Sequence, residues 1–344
     1  MLKLSFILPC YNVAPYVGRC IESIECQNIP QSEYEVICVD DCSKDNTVEV
    51  IKEYQKQYLN IRLICHMENK TAGGARNTGM DAAKGKYLWF VDPDDMICQD
   101  VLKQLYESIT SYKAELLFFN FYTSKELGER VESIKLSSID GVVAGEPLVM
   151  QYAPKGLSMF TCIYNLLFER DFVNKHKIYY PEIRAGQDVV FIWSCILTAS
   201  RCAVVDTLGY HYIRRGDSVT GSKGRFSAGA ILSQSLLFAS EIHKILLRNN
   251  NLDKEIMKEI GLSISYALNT DSRNIIYAPI KEQHVFYLSL KHYKVTIGEL
   301  CSYMNSKTKH IFASDTHYII WQLYIWACRF VDVVKRRNSS LSYE

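Results

Sequence analysis

Hydrophobic positions in the first 220 residues come in short bursts, and several of them run into a polar cluster. Residues 4–8 form the first burst, which stops at Pro9 and predicts a buried strand. Val17, Cys20, Ile21 and Ile24 follow at helical spacing and predict a helix over 14–26. Residues 36–39 predict a second strand, ending in Asp40-Asp41. Asn46 and Glu49 have the spacing of a capping pair for a helix that carries Val48, Ile51 and Tyr58. Residues 61–65 predict a third strand, and 72–84 a helix of small residues with Gly85 at its stop. The fourth strand, 87–91, reads Y-L-W-F-V and meets Asp92-Pro93-Asp94-Asp95, where proline cannot extend a central ladder. Alternating short strands and helices imply β-α-β units and a mostly parallel sheet.

The pattern continues with a helix over 101–109 and a strand over 115–122. Residues 125–139 are polar and weakly periodic, as in a loop or an edge excursion. Residues 158–168 are apolar and rich in strand formers. Gly186-Gln187-Asp188 opens an apolar helical segment over 189–198, where an acid has the position of a plain N-cap. Strands follow at 202–205 and 208–213, the second ending in Arg214-Arg215-Gly216-Asp217-Ser218. Beyond about Gly224 glycines become rare and helical spacing dominates. A boundary over 216–224 therefore divides an α/β domain, 1–220, from a helical region, 221–344. The stretch 318–334 is strongly apolar and aromatic and is followed by Lys335-Arg336-Arg337. Gln322, Arg329 and Asp332 argue against a spanning helix. Two readings stand: an amphipathic helix at a membrane surface, or a terminal helix docked on the domain or on a second subunit.

Composition narrows the class. With 344 residues and 48% hydrophobic content the chain can bury a large core, and its net charge of +1 gives no support for nucleic-acid binding. The twelve cysteines are scattered, without Cys-x-x-Cys, and several (Cys10, Cys38, Cys65, Cys195) lie in apolar runs. They read as buried thiols of a reducing compartment rather than as a disulfide framework or zinc site. The N-terminal apolar run is too short for a signal peptide, so a cytoplasmic protein is expected.

Ligands of parallel sheets sit beyond the carboxyl ends of the strands, and that is where the polar clusters fall. Pro9-Cys10-Tyr11-Asn12, Asp40–Ser43, Asn69–Asn77 and Asp92–Asp95 share one predicted rim. The acids of the last cluster repel one another. They suit either a solvated turn or a divalent cation shared with a ligand phosphate. No Walker A loop, G-x-G-x-x-G or serine or cysteine nucleophile signature competes.

In these segments the sequence resembles glycosyltransferase family 2, the inverting nucleotide-sugar transferases of GT-A fold. The resemblance lies in S-F-I-L-P-C-Y-N (5–12), V-D-D-C-S-K-D-N-T (39–47), A-G-G-A-R-N-T-G (72–79), A-K-G-K-Y-L-W-F-V-D-P-D-D (83–95) and, more weakly, G-Q-D (186–188). It implies a nucleotide-sugar donor, UDP-linked, and a saccharide or lipid-linked saccharide acceptor. Pro9, Tyr11, Asn12 and Asp41 would hold base and ribose, with Arg76 near the nucleotide. Asp92 and Asp94 match a D-x-D motif that would hold Mn2+ or Mg2+, and Asp95 would orient the sugar or the metal shell. Asp188 falls at the general base, preceded by Gln187 where the family commonly has Glu. Arg215 and Ser218 resemble a segment that closes over the diphosphate, with Arg214 as the alternative register. His211 is either a third metal ligand or a structural histidine. A nucleotidyltransferase and a non-catalytic nucleotide-sugar binder are the rival readings.

Overall fold

The computed structural model describes residues 2–125, 130–134, 141–145, 147–148, 162–183, 186–214, 241 and 244–245. The chain divides into two compact units, Met1–Ser222 and Lys223–Glu344, and nearly all of the second lies outside the described residues, as does the apolar stretch 318–334.

In the first unit β1 (Leu4–Cys10), β2 (Tyr34–Asp40), β3 (Ile61–Cys65) and β4 (Tyr87–Phe90) alternate with α1 (Val17–Glu25), α2 (Thr47–Gln57) and α3 (Thr71–Ala82). These strands run parallel in the order β3-β2-β1-β4, so their carboxyl ends share one edge. The predicted positions Val17, Cys20, Ile21 and Ile24 are the buried face of α1. That helix starts later than its periodicity suggests, because residues 13–16 form a turn in which Tyr16 N–H and Val17 N–H both reach Val13 O. Pro9 does not end β1. The strand continues to Cys10 because its pairing with β4 stops at Ile7, so only the β2 side needs donors there. Asn46 stands before α2 as expected but makes no capping bond; Thr47 is held by Asp45 instead.

Beyond β4 the sheet becomes mixed. After the short β5 (Met96–Ile97) and α4 (Leu102–Ser111), β6 (Leu116–Lys125) lies parallel to β9 (Cys202–Arg214). β8 (Leu166–Glu169) runs antiparallel between β4 and β6, β5 is antiparallel to β9, and β7 (Arg130–Ile134) pairs with β6. The expected parallel pairing therefore holds for the first four strands and for β6 with β9, while β5, β7 and β8 are antiparallel to their neighbours. The ambiguous 125–139 segment contains an edge strand. The two strands predicted over 202–213 are one, carrying register shifts opposite Phe118–Phe121. α5 (Arg170–Lys175) and α6 (Gln187–Thr198) complete the unit.

The core lies on both faces of this sheet. On one face Trp89 packs edge to face on Phe119 and tilted on Phe6, with centroids 5.1 and 5.5 Å apart, under α1 and α4. On the other, Phe90 meets Phe168, Tyr180 and Phe191. Gly79 brings α3 down on β1: a Cβ there would lie 2.4 Å from Ile7 Cγ2. Ten cysteines are described and all are free thiols, five of them buried. Cys65 is exposed, contrary to expectation, because it ends the outermost parallel strand. No described helix is long and apolar enough to cross a membrane.

Candidate active site

The loops after β1, β2 and β3 each carry a non-glycine residue in left-handed backbone: Asn12 (φ 53°), Cys42 (φ 67°) and Thr71 (φ 69°). For a β-branched residue such as Thr71 this conformation is strained, and strain held by surrounding structure gathers at functional sites. The loops are also laced together. Asn12 Oδ1 accepts from Lys44 N–H at 2.7 Å, and Asn12 N–H donates to Ser43 Oγ at 3.0 Å. Asn12 thus braces the rim, while the Tyr11 ring beside it is 47% exposed and free to meet a planar ligand. Pro9 lies beneath them in β1.

Asp41 is buried at the end of β2. Its Oδ1 accepts from His66 Nδ1 at 2.8 Å and from Lys70 N–H at 2.7 Å. His66 in turn meets Thr78 Oγ1 at 2.9 Å through Nε2. Since a carboxylate only accepts, Nδ1 carries a proton. Asp41 Oδ2 makes no hydrogen bond to a described residue, which leaves one fixed acceptor at the rim.

Arg76 is the centre of the site. Its side chain is 5% exposed and forks between two carboxylates: Nη2 donates to Asp92 Oδ1 at 2.8 Å and Nη1 to Asp188 Oδ1 at 2.9 Å. The guanidinium also lies over the Tyr180 ring, 5.4 Å from its centroid. Burial alone would lower the Arg76 pKa, but Asp188 and Asp92 more than offset it and hold the group above its ordinary value. Asp188 stands in the first turn of α6, after Gly186 in left-handed backbone. Burial raises its pKa, Arg76 opposes that, and Asp92 adds to it; the net direction is upward. Its Oδ2 has no partner among the described residues. An elevated carboxylate with one oxygen pinned and one open is suited to accept a proton.

The three acids after β4 have separate fates. Asp92 and Asp94 are half-buried, and the Asp94 carbonyl accepts from Arg19 Nη2 at 2.7 Å. Asp95 is 1% exposed; its Oδ2 accepts from Tyr210 O–H and its Oδ1 from Ile213 N–H, each at 2.8 Å. These two bonds tie β9 to the loop after β4. Burial raises its pKa well above the carboxylate range, with Asp94 and Asp92 adding to the rise. The Asp92 Oδ2 is bonded to no described residue, and the paired carboxylates of Asp92 and Asp94 are of the oxygen-donor type that could hold a hard divalent cation. His211 is not gathered with them. Its Nε2 meets Ser124 Oγ at 2.7 Å, its ring stacks on Tyr122 at 4.2 Å, and burial, then Arg19, lowers its pKa. Among the described residues no three His, Cys, Asp or Glu side chains converge as a ligand set.

The structure therefore brings Arg76, Asp92 and Asp188 into contact and lines the same rim with Tyr11 and Asp41. Arg215 and Ser218 lie outside the described residues. Sequence reasoning missed His66, Tyr180, Gln187 and Tyr210 as partners of the site. A histidine closing the third apolar run was a visible signal for His66; the others are defined only by contacts more than 100 residues apart.

Residues 5–170 match the model of glycosyl transferase family 2. A poly(ribitol-phosphate) beta-glucosyltransferase of Bacillus spizizenii is 30% identical over 223 residues, 63% of this chain and 33% of that protein. The chain thus spans about a third of that relative's length. The crystal structure of S. aureus TarS 1–349 in complex with UDP-GlcNAc superposes with a TM-score of 0.68 at 22% identity, covering 95% of this chain and 92% of that one. A Pyrobaculum calidifontis mannosyltransferase in complex with GDP-Man and Mn2+ gives a TM-score of 0.52 at 14% identity, covering 96% and 87%. Strand order and family match agree: the fold is GT-A, and residues 5–170 form a glycosyltransferase family 2 domain.

Proposed function

We propose that this chain is a metal-dependent, inverting glycosyltransferase that moves a sugar from a UDP-linked donor to a hydroxyl of a surface polysaccharide or lipid-linked saccharide. The observation that carries this reading is the Arg76 fork, which holds a candidate metal ligand, Asp92, and a base candidate, Asp188, on one cation. Tyr11 would flank the base ring, and Asp41 Oδ2 would accept from a ring N–H such as that of uracil. Asp92 and Asp94 would hold Mn2+ or Mg2+, which when bound supplies counter-charge to the departing diphosphate. Asp188 takes the proton of the acceptor hydroxyl as it attacks the anomeric carbon opposite the leaving group, and one in-line displacement inverts that centre. A positioned base of this kind contributes roughly 100- to 10,000-fold. Relatives named for poly(ribitol-phosphate) glycosylation, and a neighbour holding UDP-GlcNAc, support a UDP-sugar and a surface polymer.

We further propose a cytoplasmic location, in which the apolar, aromatic sequence 318–334 and the basic residues after it would either meet the inner face of the membrane or dock on protein. A screen of nucleotide sugars with and without Mn2+, reading nucleoside diphosphate release, identifies the donor. With that donor Asp188→Asn should bind UDP normally and lose transfer, and Asp94→Asn should lose Mn2+-dependent UDP binding as well. Transfer by Asp188→Asn at the wild-type rate would remove Asp188 as the base.

A further inference from the structure

We infer that Gln187 is a positioning residue for this reaction: its amide oxygen locks the start of the Asp188 helix onto the first turn of α3. The inference rests on the reading of Asp188 as the base.

The α3 face that looks at the base helix is built from Gly73, Arg76 and Asn77, at the i, i+3, i+4 spacing of one helical side. Each holds something. Gly73 N–H, which at the start of a helix has no intrahelical acceptor, donates to Gln187 Oε1 at 2.9 Å. Arg76 Nη1 holds the next residue, Asp188, at 2.9 Å. Asn77 takes both backbone groups of Tyr180, accepting from its N–H at 2.9 Å and donating to its carbonyl at 3.0 Å. The Tyr180 ring then stacks on Phe191, one turn into α6, with centroids 4.1 Å apart and planes 3° from parallel.

Arg76 divides its guanidinium between Asp188 and Asp92, whereas the Gln187 bond ties only the base helix to α3. Gln187 is 7% exposed, and its oxygen serves α3 alone. Glycine at position 73 leaves room for this bond: a Cβ there would lie 2.3 Å from Gln187 Oε1 and 3.1 Å from Tyr180 Cβ, so the Gln187 amide would have to move. Neither α3 nor α6 has a side-chain cap of its own, so this bond between helices does that work for α3. A glutamate at position 187 would present the same acceptor. The contact therefore needs an oxygen and not a charge.

The test compares Gln187→Leu, which keeps bulk and loses the acceptor, with Gln187→Glu, which keeps the acceptor. Steady-state transfer gives kcat and donor KM, and calorimetry gives the affinity for UDP with Mn2+. A base displaced by about 1 Å predicts roughly a 10- to 100-fold loss of kcat in Gln187→Leu, with donor KM and UDP affinity unchanged and Gln187→Glu near wild type. Gly73→Ala, which retains Gln187 but crowds its oxygen, should reproduce the loss should Gln187→Leu not fold. Wild-type kcat in Gln187→Leu, equal losses in the Leu and Glu variants, or loss of UDP binding together with kcat would each overturn the inference. Asp188→Asn run alongside separates the two readings. If it is inactive while Gln187→Leu is normal, only the role of Gln187 falls; if it is fully active, the base assignment falls and this inference with it.

Discussion

Arg76→Met tests the site at its most connected point. The substitution keeps an apolar stem of similar length and removes a guanidinium that serves two carboxylates at 2.8 and 2.9 Å. Removing one partner of a fully buried pair costs about 3–5 kcal/mol, because the other charge stays behind uncompensated. Here the remaining carboxylates are 28% and 33% exposed, so water recovers part of their solvation. That reduces the loss to about 2 kcal/mol. Removing the cation from over the Tyr180 ring adds about 0.5–1 kcal/mol. A total of about 3 kcal/mol corresponds to a Tm lowered by about 6–12 °C for a unit of this size. The reasoning also fixes a rescue. If the damage comes from two stranded carboxylates, neutralising both should remove most of it, since deleting every partner of a polar cluster is far cheaper than deleting one. Arg76→Met in an Asp92→Asn, Asp188→Asn background should therefore melt well above Arg76→Met alone. Differential scanning calorimetry on the full chain reads both. A single variant melting within about 1 °C of wild type, or a triple variant no better than the single, would show that the fork does not hold these acids.

The pH profile of kcat/KM should have an acid limb above the ordinary Asp range of about 4, since Asp188 is raised by burial and works only unprotonated. Activity then falls as pH drops through that raised value, and Arg76→Met, which removes the lowering contribution, should move the limb higher; a limb at the ordinary value would contradict the environment described for Asp188. His66→Leu removes one of the two donors on Asp41 Oδ1 and should weaken UDP binding about 10-fold while sparing kcat at saturating donor, as calorimetry and steady-state rates would read. Gly79→Ala puts a Cβ 2.4 Å from Ile7 Cγ2 and should cost about 1–3 kcal/mol by overpacking, with Ile7→Val restoring part; an unchanged Tm would argue against so close an approach of α3 to β1.

How legible these features were in the sequence depends on how far apart the partners lie. β1 to β4 and the helices between them follow from apolar runs and turn residues, because each element is set by its own ten or so residues. The second half of the sheet is different. β8 enters between β4 and β6, and β9 reaches both β6 and β5, so partners are chosen by pairing across long separations and leave no local trace. The acids after β4 make the same point at the scale of one residue. Asp94 and Asp95 are adjacent and identical in type, yet one lies half-buried at the rim and the other is sealed under Tyr210 and Ile213, both from a strand more than 100 residues later.

The central role of Arg76 has the same origin. Its resemblance to a nucleotide-adjacent position placed it near a ligand, but not on Asp188, 112 residues away in sequence. The contact imposes a trade on the site. A tighter grip on Asp188 orients the base and lowers its basicity; a looser one raises basicity and frees the helix start. The Gln187–Gly73 bond separates these two demands, because it fixes α6 through a neutral contact that leaves the charge of Asp188 untouched. With orientation supplied by Gln187, the strength of the Arg76–Asp188 contact can be set by the basicity the reaction needs rather than by the need to hold the helix in place.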